Sequence, residues 1–376
     1  RGHIVDVIGG RIFPGSVHVN NGRIQEIREH AVDETVYILP GLVDAHIHIE
    51  SSMLIPSEFA RLAVIHGTVA TVSDPHEIAN VLGIEGIRFM IENGKKVPFK
   101  FCLGASSCVP ATPFETAGAL LGPKEVEELL RMDEIGYLSE MMNFPGVLNS
   151  DPEVMHKLEI ARKYGKPVDG HAPGLRGEDA RKYISAGIST DHECFELDEA
   201  LEKASMGMHI LIREGSAARN FDDLAPLIDL YPDQVMFCSD DRHPDDLLNR
   251  HINDIARRAI NKGYDPVAVI RACTLNPKKH YNLDTGLLQP GDPADLIVID
   301  DLSSFHVLKT YINGQMVASE GNSCIPRIEE IPVNRFDARP VSQSDLKVAK
   351  KGHRIRIIEA LEGQLITHEL DGSPMV

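Results

Sequence analysis

The chain's 376 residues, 43% hydrophobic and 25% charged, can bury one large closed core and a smaller appendage, the composition of an ordinary globular protein. With 38 basic against 56 acidic residues the net charge is −18, which argues against a nucleic-acid or anionic-membrane partner, since both need clustered Lys and Arg. No apolar run approaches the ~20 residues of a membrane helix, the start lacks a signal-peptide pattern, and six scattered cysteines without a CxxC pair give neither zinc knuckle nor disulfide frame, so a reduced, cytoplasmic protein is expected.

From Ile4 to Ile27 short β-patterned runs alternate with turns, and Asn21-Gly22 between Val17-His18-Val19 and Ile24 is a strong hairpin signal. Residues 1–40 therefore read as the first part of a small β-sandwich. Residues 41–284 alternate strand-like and helical runs, which argues for βα units. Eight strands are predicted, at Leu42–His48, Thr68–Asp74, Phe99–Ala105, Gly136–Met142, Pro167–His171, Gly187–His192, His209–Arg213 and Gln234–Asp240. Helices are predicted at Pro56–His66, Ile84–Asn93, Lys124–Met132, Pro152–Tyr164, Glu178–Ser185 and Asp245–Lys262. Eight such units in this length match a (β/α)8 TIM-type barrel better than a doubly wound sheet. Residues 285–330 return to β-patterning, with Leu296–Ile299, Val307–Ile312 and a second Asn313-Gly314 turn, and supply the second part of the sandwich. The chain opens at Arg1 without Met and closes soon after the strand-and-turn pattern 361–367, so residues 331–376 are expected to start a truncated C-terminal region.

Catalytic groups of a barrel stand at the C-terminal ends of its strands. In Asp44-Ala-His46-Ile-His48-Ile-Glu50, alternation sends Asp44, His46, His48 and Glu50 to one side, where two imidazoles can grip one metal ion. Later strands end in Asp74-Pro-His76-Glu77, Ser139-Glu140, Gly170-His171, Asp191-His192-Glu193, Arg213-Glu214 and Ser239-Asp240-Asp241-Arg-His243. Buried ionisable groups are costly unless paired or bound to a metal. His46, His48, Glu140, His171, His192 and Asp240 exceed what one four-coordinate ion takes from protein, so two divalent ions are expected. Mixed N/O ligation without thiolate suits Mn2+, Fe2+ or Zn2+. Cys238 reads as a small packing residue, Glu193 as directed outward between barrel and helices, and His156, His209, His251, His280 and His306 as helical or peripheral.

The order His-x-His on strand one, a carboxylate on strand four, single histidines on strands five and six, and Asp on strand eight resembles the amidohydrolase superfamily. The strings His46-Ile-His-Ile-Glu-Ser-Ser52, Asp74-Pro-His-Glu-Ile-Ala-Asn80, Ser139-Glu-Met-Met-Asn143, Gly170-His-Ala-Pro173 and Asp240-Asp-Arg-His-Pro244 are similar to those of the bacterial adenine deaminase family. The resemblance runs from about residue 4 to the end. Many superfamily members bridge their metals with a carboxylated lysine on strand four. No Lys occurs from Met132 to Asn149, and the resemblance implies Glu140 as the bridge. It further implies one metal on His46, His48, Glu140 and Asp240, and the other on Glu140, His171 and His192.

The implied reaction is hydrolysis of adenine to hypoxanthine and ammonia, by a metal-activated bridging hydroxide attacking purine C6. Asp240 can accept the hydroxide proton and return it to the departing amine, while Glu50 or Glu77 protonates or hydrogen-bonds the ring nitrogen. Glu77 can equally be a helix-starting carboxylate with no catalytic part. His76, Arg213, Asp241 and His243 are candidate substrate contacts, a surface salt-bridge role being the alternative for Arg213, Asp241 and His243. Three other readings are a deaminase of another amino-heterocycle, a cyclic amidase of the dihydroorotase or allantoinase kind, and a non-catalytic binding or assembly protein of the same fold. A small-molecule purine is the expected partner. Enzymes of this size are commonly symmetric homo-oligomers, and one is expected here.

Overall fold

The computed structural model describes residues 1–349, 351–363 and 367–372. Strands β1 (Gly2–Asp6), β2 (Arg11–Asn20), β3 (Arg23–Glu29) and β4 (Tyr37–Pro40) lead into the barrel. Its strands are β5 (Leu42–Ile47), β6 (Thr68–Ser73), β7 (Lys100–Ala105), β8 (Ile135–Met141), β9 (Val168–Gly170), β10 (Thr190–Asp191), β11 (His209–Arg213) and β12 (Val235–Cys238). Beyond it come β13 (Leu296–Ile299), β14 (Val307–Ile312), β15 (Gln315–Ser319) and β16 (Asn322–Ser323).

The flanking segments join in one eight-stranded sheet, ordered β16-β15-β14-β13-β4-β1-β2-β3. Both Asn-Gly pairs make the turns their sequence predicts. Asn21 and Gly22 have φ of 49° and 76°, and Asn313 and Gly314 have 48° and 74°, the double left-handed geometry of a tight hairpin. The two hairpin tips meet, because a β-carbon on Gly22 would lie 2.7 Å from the Asn313 carbonyl oxygen. The sheet thereby curls on itself around Ile4, Phe13, Ile24, Ile38, Leu288, Ala294 and Leu296.

All eight barrel strands predicted from the sequence are present, and each ladder between them is parallel. Strands β5 to β9 form one ladder and β10 to β12 another. The amide of Ser189 donates to the Val168 carbonyl at 2.9 Å and joins β9 to β10. At the last seam the Asp240 amide donates to the His46 carbonyl at 2.9 Å, and the His48 amide donates to the Asp240 carbonyl at 3.3 Å. The ring is thus closed by the peptide of a residue at the candidate site.

Helices Pro56–Ala63, Ile84–Gly94, Pro123–Leu130, Pro152–Lys163 and Gly177–Ser185 fall on the predicted runs. The helix predicted at 245–262 is instead two, Pro244–Asn249 and Ile252–Asn261. Arg250 between them is extended (φ −164°, ψ 155°), which turns the His251 side chain into the barrel. Of the region expected to start at 331, the described residues include a hairpin of β17 (Ile355–Ala360) and β18 (Thr367–Gly372). The Arg219 amide donates to its Gly363 carbonyl at 3.2 Å. Residues 350, 364–366 and 373–376 lie outside the described residues.

Candidate metal centre

Strand β5 carries His46 inward and ends at Ile47, so His48 follows on an extended residue just past the ladder. Their Nε2 atoms lie 3.2 Å apart. Below them Asp44 is fully buried and accepts the Ser239 amide at 3.0 Å, the His46 amide at 3.3 Å and the Ser239 hydroxyl. His251 Nε2 lies 2.9 Å from the same carboxylate, and His251 Nδ1 lies 2.7 Å from Thr68 Oγ1. These bonds fix β12 against β5 one residue before Asp240. Oδ1 of Asp240 stands 3.4 Å from His46 Nε2 and 3.2 Å from His48 Nε2, and its Oδ2 accepts Arg213 Nη1 at 2.9 Å.

Glu140 on β8 faces both halves of the cluster. Its Oε1 is 3.3 Å from His48 Nε2 and 3.4 Å from His76 Nδ1, whereas its Oε2 is 2.8 Å from His171 Nδ1 and 3.2 Å from His192 Nε2. The rings of His46 and His192 stack at 4.2 Å. His46, His48, Glu140, His171, His192 and Asp240 are therefore brought into one cluster at the strand ends, in overlapping groups whose donor atoms all lie within 4.8 Å of one another.

The donor chemistry fits two divalent cations. Zinc–imidazole bonds of about 2.0–2.1 Å to two nitrogens 3.2 Å apart subtend roughly 100°, compatible with tetrahedral or octahedral ligation. The charges agree. Burial works against the charged form of Glu140, but His171, His192 and His48 outweigh it and hold the carboxyl well below its ordinary range. Burial likewise opposes ionisation of Asp240, which His46, His48 and Arg213 keep well below its usual value. Burial lowers His46, while for His48 the carboxylates of Glu77, Asp240 and Glu140 overcome burial and raise it well above normal. Such a field of carboxylates suits cations. Two buried carboxylate oxygens beside it, Glu50 Oε2 and Glu77 Oε2, have no hydrogen-bond partner among the described residues, a costly state that a polar guest relieves.

Glu50 sits in the 3-10 turn Ile49–Ser52, its Oε1 accepting the Ile78 amide at 3.2 Å. Burial first, and then Glu77, push its carboxyl up to about 8. Glu77 lies in the first turn of helix His76–Leu82, with Oε1 3.1 Å from His76 Nε2 and Oε2 3.6 Å from His48 Nδ1. His76 Nδ1 lies 3.0 Å from Asp74 Oδ2, so Asp74, not singled out from the sequence, belongs to the cluster. Asp241 accepts the Ser51 hydroxyl at 2.5 Å across the barrel mouth. His243 is exposed at the start of helix Pro244–Asn249, away from the clustered donors.

Three residues differ from the sequence reading. Arg213 is not a surface salt bridge: it is fully buried between Asp240 and Glu193. Glu193 points inward, with Oε1 3.5 Å from His192 Nε2 and 3.7 Å from His171 Nδ1. Strand β10 ends at Asp191, so alternation no longer governs residue 193. His251 is buried rather than peripheral, because the helix that seemed to carry it is broken there.

A parallel barrel with His-x-His after strand one, Glu on strand four, His after strands five and six, and Asp after strand eight defines a metal-dependent hydrolase fold. Residues 37–317 match the Amidohydrolase family, and the chain belongs to it. The adenine deaminase of Salinibacter ruber is 55% identical over 368 residues, which are 98% of this chain and 68% of that protein. Those of Sulfurovum sp. and Methanosarcina mazei are 56% and 55% identical, over 98% and 97% of this chain and 69% and 68% of their own lengths. The fold alone is shared with more distant solved structures. A β-aspartyl dipeptidase from Fervidobacterium islandicum is 15% identical with a TM-score of 0.62, covering 87% of this chain and 98% of that one. N-acetylglucosamine-6-phosphate deacetylase from Thermotoga maritima is 14% identical with a TM-score of 0.60, covering 85% and 98%. Among the described residues no helix is long and apolar enough to cross a membrane.

Proposed function

We propose that this chain hydrolyses adenine to hypoxanthine and ammonia. The substrate follows from the deaminase relatives at 52–56% identity. The observation that carries the mechanism is Glu140, a single carboxylate with His48 against one oxygen and His171 and His192 against the other. In this reading His46, His48, Glu140 and Asp240 hold one divalent ion, and Glu140, His171 and His192 hold the second. Two such ions held there would supply the acidity that makes hydroxide available from water near neutral pH. Manganese or iron(II) is proposed, with zinc as the third choice of this N/O donor set.

Asp240 accepts the remaining proton of the attacking hydroxide on Oδ1 while Arg213 fixes Oδ2. It later returns that proton to the exocyclic amine, so that the C6–N bond breaks and neutral ammonia leaves. Attack at C6 moves an electron pair to the adjacent ring nitrogen. Glu50, protonated at neutral pH, donates a proton or a hydrogen bond there. Glu77 and His76 line the same side and hold the base, and Asp241 closes the mouth through Ser51. Arg213 acts through Asp240, not on the purine. We also propose a cytoplasmic homo-oligomer working in purine salvage and adenine catabolism.

The test is a substrate panel on metal-reconstituted protein. Adenine is expected to release ammonia with two ions per chain, while guanine, cytosine and cyclic amides react at least 10²-fold more slowly, as hydrogen-bonding pockets allow. Glu140→Gln is expected to retain one ion or fewer and to lose at least about 10³-fold in kcat. Turnover of a cyclic amide in preference to adenine, or fewer than one ion in the unaltered protein, overturns this reading.

A further inference from the structure

Helix Leu197–Ser205, which follows strand β10, buries a lysine that no step of the reaction uses. Lys203 is 1% exposed. Its ammonium donates to Asp191 Oδ2 at 2.6 Å, to Glu199 Oε1 at 2.6 Å and to the Ala172 carbonyl at 2.7 Å. The group Asp191, Cys194 and Glu199 has the donor spacing of a cation site, and the cation it holds is this ammonium.

Two of those three bonds end beside an imidazole of the candidate centre. Ala172 follows His171, and Asp191 precedes His192. The other oxygen of Asp191 accepts the Glu193 amide at 2.9 Å and the Ala172 amide at 3.5 Å, and Glu199 Oε1 also accepts the Gly174 amide at 3.0 Å. The short strands β9 and β10 end at Gly170 and Asp191, so neither imidazole is held by a ladder. The Lys203 network takes over where the ladders stop, tying the two loops to one charge. His46 and His48 have no such link to it, being set by β5 and the Asp44 clamp.

We propose that Lys203 is a positioning residue for one half of the metal centre, holding His171 and His192 at the spacing a single divalent ion requires. This rests on the two-ion reading above. Partners behind metal ligands typically contribute 10–100-fold in metal affinity. Removing this one is therefore expected to act on one ion and spare the other.

The experiment titrates metal-free protein with Mn2+, counting ions by calorimetry and following the spin-coupled pair by electron paramagnetic resonance. Lys203→Met is paired with Glu199→Gln/Lys203→Met, which removes one positive and one negative group together and so avoids stranding both carboxylates. In a folded variant the weaker ion's Kd is expected to rise about 10–100-fold. The first ion's Kd should move less than about threefold, and the coupled signal should give way to that of an isolated ion. If the unaltered protein binds two ions and the folded variants bind both with unchanged affinity, the Lys203 proposal falls and the two-ion reading stands. Equal weakening of both ions, or failure of both variants to fold, makes Lys203 a structural residue and also overturns it. If the unaltered protein binds no pair, the two-ion reading itself has failed.

Discussion

Asp240 occupies left-handed backbone at φ 52°, a region a non-glycine residue rarely adopts. It is held there by its own two seam hydrogen bonds and by the Asp44–Ser239 clamp beneath it. Its carboxylate is divided, one oxygen toward the imidazoles and one toward a buried arginine, so its orientation does not depend on rotamer preference. Glu50 gives the clearest residue-level prediction. Burial and Glu77 keep its carboxyl protonated up to about pH 8, so a proton donor exists at neutral pH and is lost as pH rises through that value. In the proposed reaction kcat/KM is expected to fall on the alkaline side as Glu50 gives up its proton. Glu50→Gln, whose amide donates at every pH, should flatten that limb, and Glu50→Ala should lower kcat/KM about 10²–10⁴-fold across the range. A pH–rate profile of the three proteins decides it. An unchanged alkaline limb in Glu50→Gln would transfer the role to another group.

Elements with strong periodicity were legible: eight strands, five of the six helical runs and both Asn-Gly hairpins lie where the sequence predicts them. The barrel rule then gathered His46, His48, Glu140, His171, His192 and Asp240, because strand ends converge in this fold whatever the loop lengths. What could not be read was set by tertiary contact. Glu193 turns inward because β10 stops two residues earlier, and no local pattern marks so short a strand. The periodicity of 245–262 is continuous, yet the helix breaks so that His251 reaches Asp44 and Thr68. That break makes an element-level prediction. His251→Phe leaves the Thr68 hydroxyl without this partner and Asp44 with one partner fewer, at about 1–3 kcal/mol for each group so affected. Denaturant unfolding is expected to show a loss of about 2–6 kcal/mol. A loss below about 0.5 kcal/mol would mean the break has another cause.

At the scale of the whole molecule, acid stability depends on a buried histidine outside the metal cluster as well as on the carboxylates within it. His66, packed between the barrel and helix Pro244–Asn249 with Nε2 2.8 Å from the Leu247 carbonyl oxygen, is lowered to about 4 by burial and then by His251. The unfolded chain binds this proton at its ordinary value of 6.5, so the histidine's contribution is full above that pH. It is lost as pH falls from there toward 4, amounting to about 3 kcal/mol. Unfolding free energy measured across this window is expected to fall more steeply in the unaltered protein than in His66→Gln; equal slopes would assign the acid sensitivity elsewhere. The seam at Asp240 has a different consequence. Residues nearly two hundred positions apart weld the first and last staves with the same peptide that presents the carboxylate, so no partial assembly of staves offers the complete donor set. In the proposed ligation the ion on His46, His48, Glu140 and Asp240 draws on both sides of that seam, so its capture would stabilise the finished ring by mass action. Loading of that ion would then work as a latch on topology, and the appearance of its tight binding during refolding would time the moment the circle shuts.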